Sequence, residues 1–327
     1  MFDVITIGSA TRDVFLRAEG FELRQHADSP TGTEQCFPLG SKIEIKEITF
    51  TTGGGGTNAA VTFVRQGLKT ACIGSVAEDI NGREIIEELK KEKIETKFFQ
   101  KTALGYTAYS VIFIHPNAER TILSYKGEGQ NLNAEKTLFK KIKTKWLFLN
   151  SLGGNYKLLE KAVFWAKKNS VKIASNPGGK ELAHGLEKLK VLLENSDIII
   201  MNQEEAARLV GVSYEKESEI FQTTDKVVKG IFVMTKGHEG VVVSDGKNIY
   251  KAGVPDSPVV ERTGAGDAFS SGFVSEFIRS NDTVKAIQFA TVNASSVVAK
   301  VGSKAGILKK GDWRPWPLIK VESFSSS

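Results

Sequence analysis

The sequence predicts an α/β protein: a doubly wound, mostly parallel sheet flanked by helices, with a small separate β-sheet as a lid. Three observations carry this. From Trp146 onward, short apolar runs alternate with helical segments. The N-terminus opens on another strand, in which Val4, Ile5 and Ile7 run into Gly8-Ser9-Ala10 with Asp13 just beyond. Two early blocks have strand patterns without intervening helices, so they do not fit such a core and read as the lid.

Taken in order, the first strand gives way to a polar stretch rich in turn formers, Arg17 to Ser41. Lys42 to Thr51 then alternates through Ile43, Ile45, Ile48 and Phe50, as a strand with one exposed face does. Gly53 to Gly56 follow, and a helix is expected from about Asn58 to Gln66, stopped by Gly67. A buried strand fits Thr70 to Val76 and a charged helix Gly82 to Glu92. Lys97 to Tyr125 reads as strands again, with Tyr109, Val111 and Phe113 alternating and a turn at Pro116-Asn117. The lid is therefore expected from about 14–50 and 97–125, within a single domain over 1–315.

Beyond that, strands fit Trp146 to Asn150, Val171 to Ser175, Ile198 to Met201, Ile231 to Thr235 and Val241 to Ser244. Helices fit Lys157 to Asn169, Glu204 to Val210, Ala265 to Ile278 and Thr283 to Ala299. The tail, 316–327, ends in serines (Ser323 to Ser327) and is expected to fray.

With 327 residues, 41% apolar and 25% charged, the chain has an ordinary globular composition. Its net charge of +6 is spread out, and Lys136 to Lys145 and Lys309-Lys310 lack the aromatic partners that stack bases, so no nucleic-acid partner is expected. A mild positive field suits an anionic nucleotide. Cys36 and Cys72 offer neither metal-ligand spacing nor a disulfide framework. Met1 to Gly8 lacks a basic region and a long apolar core, so it is not expected to be a signal peptide. No apolar run approaches the roughly 20 residues that span a bilayer. A cytoplasmic protein without a membrane partner is expected.

The chemistry concentrates in Glu261-Arg262-Thr263-Gly264-Ala265-Gly266-Asp267. Thr263 is of a good N-cap type, and Phe269, Phe273 and Phe277 recur at a spacing that sets one helix face against the core. A helix start has unpaired amides and the positive end of the helix dipole, so Gly264, Ala265 and Gly266 would let an anion approach closely. Asp267 beside that anion makes sense if the anion is a phosphoryl group in transit and the carboxylate takes a proton from its acceptor. A bare helix cap is the competing reading of the same turn.

Gly53-Gly54-Gly55-Gly56-Thr57-Asn58 admits a ligand against the backbone, with Asn58 both donating and accepting, or else is a tight strand-to-helix turn. Gly54-x-Gly56-x-x-Ala59 with Glu78 and Asp79 downstream also matches a dinucleotide fingerprint, although that fingerprint belongs on a first strand. No G-x-x-x-x-G-K-[ST] is present, which excludes a P-loop enzyme. Asn202 and Glu205, directly after a strand, suit hydrated Mg²⁺ or simply a capped helix start. Thr235-Lys236-Gly237-His238-Glu239-Gly240 also follows a strand, where open α/β sheets bind ligands.

The order of these motifs resembles that of the ribokinase-like (PfkB) carbohydrate kinases. The resemblance covers about Met1 to Trp313 and rests on Gly8 with Asp13, Gly53-Gly54-x-Gly56-x-Asn58, Asn176-Pro177, Asn202-x-x-Glu205, Thr235-Lys236-Gly237-x-x-Gly240 and Thr263 to Asp267. It implies a ribokinase-like fold and transfer of the γ-phosphoryl group of ATP to a primary hydroxyl. Asp267 would be the base, and Gly264, Ala265 and Gly266 the anion hole. Asp13, Gly54, Gly55 and Asn58 would hold sugar hydroxyls. Asn202 and Glu205 would organise Mg²⁺ through water, and Asn202, Thr235, Gly237, Gly240, Thr263 and Asn293 would line the nucleotide site. The lid would also offer a homodimer interface.

Two positions depart from the family pattern. Glu261-Arg262 stands where Asp-Thr is usual; that Asp serves a monovalent-cation site in some members, so K⁺ dependence stays open. Gly55 stands where ribokinases tend to carry Lys, which weakens assignment to ribose. A sugar kinase is the leading reading and a nucleoside kinase the alternative. A non-catalytic sugar- or nucleotide-binding regulator would not need Asp267, and a dehydrogenase would need NAD(H).

Overall fold

The computed structural model describes residues 1–18, 22–28, 32–115, 119–313 and 315–325. The chain opens with β1 (Phe2–Ile7) and β2 (Thr11–Ala18), then a short hairpin of β3 (Glu22–Gln25) and β4 (Thr33–Cys36). Next come β5 (Ile45–Gly53), α1 (Gly55–Arg65), β6 (Thr70–Ile73), β7 (Ser75–Ala77), α2 (Ile80–Lys91), β8 (Gln100–Thr102), β9 (Tyr109–Ile114) and β10 (Arg120–Tyr125). The second half runs β11 (Thr144–Leu149), α3 (Tyr156–Lys168), β12 (Lys172–Ser175), α4 (Gly179–Leu182), α5 (Leu186–Leu193), β13 (Ile198–Asn202), α6 (Gln203–Val210), α7 (Glu217–Val227), β14 (Ile231–Thr235), β15 (Val241–Ser244) and β16 (Asn248–Ala252). It closes with α8 (Ala265–Ser280), α9 (Thr283–Val298) and β17 (Val321–Ser325).

The main sheet has the order β17-β16-β15-β14-β13-β12-β11-β1-β6. From β6 to β14 every neighbouring pair is parallel, and β15, β16 and β17 continue antiparallel. Buried strands with helices on both sides need apolar residues on both faces, and the sequence supplies them alternately. Ile199 and Met201 of β13 and Phe232 and Met234 of β14 pack into one core with α3, α5, α6 and α7. Ile198, Ile200, Ile231 and Val233 point the other way, onto Phe63 of α1, Phe269 and Phe273 of α8 and Ile287 of α9. The phenylalanine stripe of α8 thus faces the core as its spacing predicts, with the rings of Phe273 and Phe277 stacked.

The small sheet is β10-β9-β2-β5. It matches the expected lid, with differences at the edges. β2 already joins it at Thr11, and β8 pairs instead with β7 beside the main body. The polar stretch 17–41 contains the β3–β4 hairpin, and the expected turn at Pro116-Asn117 lies outside the described residues. The expected fraying of the tail is corrected for 321–325. β17 pairs with β16 along Ile249↔Phe324 and Ala252↔Val321, so the backbone bonds of an edge strand hold a sequence that looks featureless; 326–327 are not described.

Candidate active site

The C-terminal ends of the parallel strands bring the candidate residues to one edge of the sheet. Gly8 follows β1, Asn150 follows β11, Asn176 follows β12, Asn202 ends β13 and Thr235 ends β14. Asn202 and Thr235 are register partners. Open α/β sheets bind ligands at this edge.

Asp267 is the third residue of α8. Its Oδ2 accepts Asn58 Nδ2–H at 2.9 Å and its Oδ1 accepts Asn150 Nδ2–H at 3.2 Å. Asn150 is in turn oriented by Ser151 N–H, which donates to its Oδ1 at 2.8 Å. Three elements distant in sequence therefore converge on one carboxylate. Burial pushes the Asp267 pKa up, opposed by the two carboxamide hydrogen bonds and by the charge of Lys304. A position in the first turn of a helix argues for a weaker base; burial acts in the opposite sense, towards a stronger proton acceptor.

The cap of α8 differs from expectation. Gly264, not Thr263, is the N-cap, at φ 84° in the left-handed region, where glycine carries no Cβ penalty. A Cβ there would also run into the Cβ of Ser303. Thr263 Oγ1 is buried without a hydrogen-bond partner, and the Thr263 amide donates to Glu261 Oε2 at 2.6 Å. A Cβ on Gly266, by contrast, would meet nothing within 4 Å beyond its own helix. The first close intrahelical bond runs from Ala268 N–H to Gly264 O at 2.8 Å, so the amides of Gly266 and Asp267 precede the helix ladder. That is the open, donor-lined end an anion needs.

The flank Glu261-Arg262 divides its work. Glu261 is fully buried, and its Oε1 accepts Gly302 N–H at 3.2 Å, tying the turn to the loop after α9. Arg262 is exposed and pairs with Glu119, beside β10 of the lid, at 3.1 Å.

The glycine run forms the strand-to-helix turn between β5 and α1. Gly54, at φ 94°, is the N-cap. A Cβ at Gly53 would strike the Asp13 carboxylate, at Gly54 the backbone of Ser9 and Ala10, at Gly55 the Asn150 side chain and at Gly56 the backbone of Gly8. The bareness of these residues is thus required by the protein's own packing. The dinucleotide reading fails on the same geometry. The turn follows an antiparallel lid strand, and Asp79 caps α2 through Gly82 N–H at 2.7 Å while also accepting from Thr107.

Asp13 is 5% exposed on β2, and burial lifts its pKa to about 6, against the pull of the Ser110 hydroxyl and of Lys304. Lys304, buried in the loop after α9, donates to Thr52 Oγ1 and lies 3.4 Å from Glu88 Oε1. Burial lowers its pKa, with Glu88 and Asp13 opposing. Asn150, Ser303 and Lys304 were missed from sequence: Gly153-Gly154 follow the first, and Gly302 and Gly306 flank the other two, but nothing local ties these residues to Asp267.

The remaining candidates are more open. Asn202 and Glu205 form a reciprocal capping box: Asn202 Oδ1 accepts Glu205 N–H at 2.8 Å, and Glu205 Oε2 accepts Asn202 N–H at 2.9 Å. Burial raises the Glu205 pKa, the Asn202 amide opposing. Gly237 and Gly240 shape the tight β14–β15 connection, closed by Lys236 N–H to Gly240 O at 2.8 Å. The expectation for Asn293 needs correction. It is fully buried, its Nδ2 donates to Ala268 O at 2.8 Å and its Oδ1 accepts Leu308 N–H at 3.0 Å. Both ends of the amide tie α9 to neighbouring backbone, so it does not open onto a nucleotide.

A carboxylate held at an open helix start, at the sheet edge and under a small β lid, defines the class: an α/β phosphotransferase of the ribokinase fold. The model of the pfkB family carbohydrate kinases matches residues 1–310, and the chain belongs to that family. Among its relatives, the ribokinase of Haemophilus influenzae is 28% identical over 262 residues, covering 78% of this chain and 83% of that protein. Arabidopsis thaliana ribokinase, solved with ribose and ATP, superposes with a TM-score of 0.74 at 20% identity over 94% of this chain. A nucleoside kinase of Burkholderia thailandensis, solved with inosine, gives 0.75 at 15% identity over 95% of this chain and 96% of that one. Among the described residues no helix is long and apolar enough to cross a membrane.

Proposed function

We propose that the protein transfers the γ-phosphoryl group of ATP to a primary hydroxyl of a sugar or sugar-like acceptor, with Asp267 removing the hydroxyl proton. The observation that carries this reading is the convergence of Asn58 and Asn150 on Asp267 at the open start of α8. The acceptor hydroxyl would lie against the Asp267 carboxylate. The amides of Gly266 and Asp267 would take the charge on the phosphoryl oxygens. Asp13, facing Gly53 from β2, is the carboxylate placed to bind further hydroxyls.

ATP would lie along the Asn202 and Thr235 ends of β13 and β14. The capping box leaves few free protein oxygens there. That suits a Mg²⁺ that keeps most of its water and is approached by Asn202 and Glu205 through that water, where it would offset phosphate charge. K⁺ dependence is read by assaying with and without the ion: Glu261 now spends both carboxylate oxygens on backbone amides. A cytoplasmic location fits an ATP-using enzyme. Exposed Ile48, Phe50, Ile122 and Leu123 on the lid edges suit a homodimer through the lid, to be read by sedimentation.

The test is ADP release from ATP and Mg²⁺ across pentoses, hexoses, acid sugars and nucleosides. Acceptor-dependent ADP release with a phosphorylated product is expected for one of the sugar classes. Turnover with nucleosides alone would move the reading to a nucleoside kinase, as in the inosine-bound relative. No release with any acceptor would overturn it.

A further inference from the structure

Ser303 touches the site from behind. It is 1% exposed, and its Oγ–H donates to Asn58 Oδ1 at 3.0 Å. Asn58 itself is 4% exposed, and its nitrogen is the group that donates to Asp267. A carboxamide has an acceptor end and a donor end, so Asn58 can hold Asp267 only with its oxygen turned away, into a buried position that must itself find a donor. Among the described residues, Ser303 is the donor recorded there. Its Cβ also packs over Gly264, the cap of α8, which fixes the hydroxyl relative to the helix that carries Asp267.

We infer that Ser303 is a positioning residue acting through Asn58, holding the carboxamide so that its nitrogen, and not its oxygen, meets the Asp267 carboxylate. Without the hydroxyl, Asn58 Oδ1 is buried and unpaired, which is unfavourable, and the side chain relieves this by turning away from Asp267. Donation into Oδ1 also polarises the amide and strengthens the N–H that Asp267 receives.

The consequence is electrostatic, and its sign is fixed. The Asn58 N–H favours the charged carboxylate, so loosening it raises the Asp267 pKa further. The charged group bearing on Asp267 is Lys304, which also faces Asp13 of β2, Glu88 of α2 and Cys72 of β6; replacing Ser303 removes none of these groups. A base with a raised pKa loses its active form at higher pH, so the acid limb of the kcat/KM profile moves upward.

This inference rests on Asp267 being the base, yet its main test needs no turnover. Aspartate Cγ is labelled with ¹³C, the Asp267 signal is identified by its loss in Asp267→Asn, and its titration is followed in the wild type, Ser303→Ala, Asn58→Ala and the double variant. Ser303→Ala is expected to raise the titration midpoint by about half a pH unit or more. In the Asn58→Ala background it is expected to change nothing, because residues acting through one another are not additive. An unchanged midpoint in Ser303→Ala overturns the inference, as does an equal shift with and without Asn58. Should Ser303→Ala fail to fold, Ser303→Cys, of similar size but a weak donor, is read for the same upward shift, and an unchanged midpoint counts against it. A failed transfer assay would overturn the kinase reading and leave this titration interpretable.

Discussion

The two halves of the candidate site are built differently. On the acceptor side, Asp267 of α8, Asn58 of α1, Asn150 after β11 and the neighbours Ser303 and Lys304 after α9 come from four separate segments and are joined by hydrogen bonds or charge in a largely buried cluster. On the nucleotide side, the side-chain hydrogen bonds recorded for Asn202 among the described residues are those with Glu205 of its own capping box, and Gly237 and Gly240 shape a single connection. The first half is preorganised by tertiary structure, as proton transfer at fixed distance requires. The second is local and open, as suits a cofactor carrying its own charge and metal. Damage to the first half should therefore appear in kcat and in stability, and damage to the second in nucleotide affinity.

Short of removing Asp267 itself, the largest effect should come from removing both carboxamides. Asn58→Ala with Asn150→Ala is expected to lower kcat by about 10²-fold, with ATP affinity changed less than about twofold; steady-state kinetics with ATP binding by calorimetry measures both. Loss of ATP affinity instead would merge the two halves.

Asp13 comes next and links site to stability. Its folded pKa of about 6 lies above the ordinary 3.8, so the native state holds a proton that the unfolded chain has released. Asp13 therefore destabilises the ligand-free fold progressively as pH rises from about 3.8 to about 6, by about 3 kcal/mol in total. Asp13→Asn should recover up to about 3 kcal/mol at pH 8, little at pH 4, and weaken acceptor binding. Urea unfolding at the two pH values, beside KM for the acceptor, checks this; equal stability changes at both would contradict the burial argument.

The smallest effect belongs to the nucleotide half. Glu205→Ala should cost about 1 kcal/mol through the lost capping box and raise the Mg²⁺ concentration needed for turnover, with kcat at saturating Mg²⁺ kept. A fall in saturated kcat would place Glu205 in the preorganised half.

Much of this was legible in the sequence, and the residues show where legibility stops. The parallel strands announced themselves because both faces are apolar, and the Gly264 to Asp267 turn because three nearly bare residues before a carboxylate are unusual at a helix start. The cap was misread at Thr263 because its hydroxyl suits an N-cap, whereas packing against Ser303 demanded glycine one residue later. Asn150 was invisible because its contact with Asp267 joins positions 117 apart, which the folding of β11 and α8 onto one sheet edge brings together. Ser303 and Lys304 follow α9 on a loop whose course depends on how α8 and α9 pack. Asn293 was misassigned because a buried asparagine and a ligand-facing one look alike in one dimension.

The central claim is that Asp267, held by two carboxamides, takes the acceptor proton. Single-turnover transfer of a labelled γ-phosphoryl group, with wild type and Asp267→Asn equally saturated with ATP, tests it most directly. The account predicts labelled acceptor from the wild type and a rate at least about 10²-fold lower in the variant, despite equal nucleotide occupancy. Equal rates in the two proteins would contradict it.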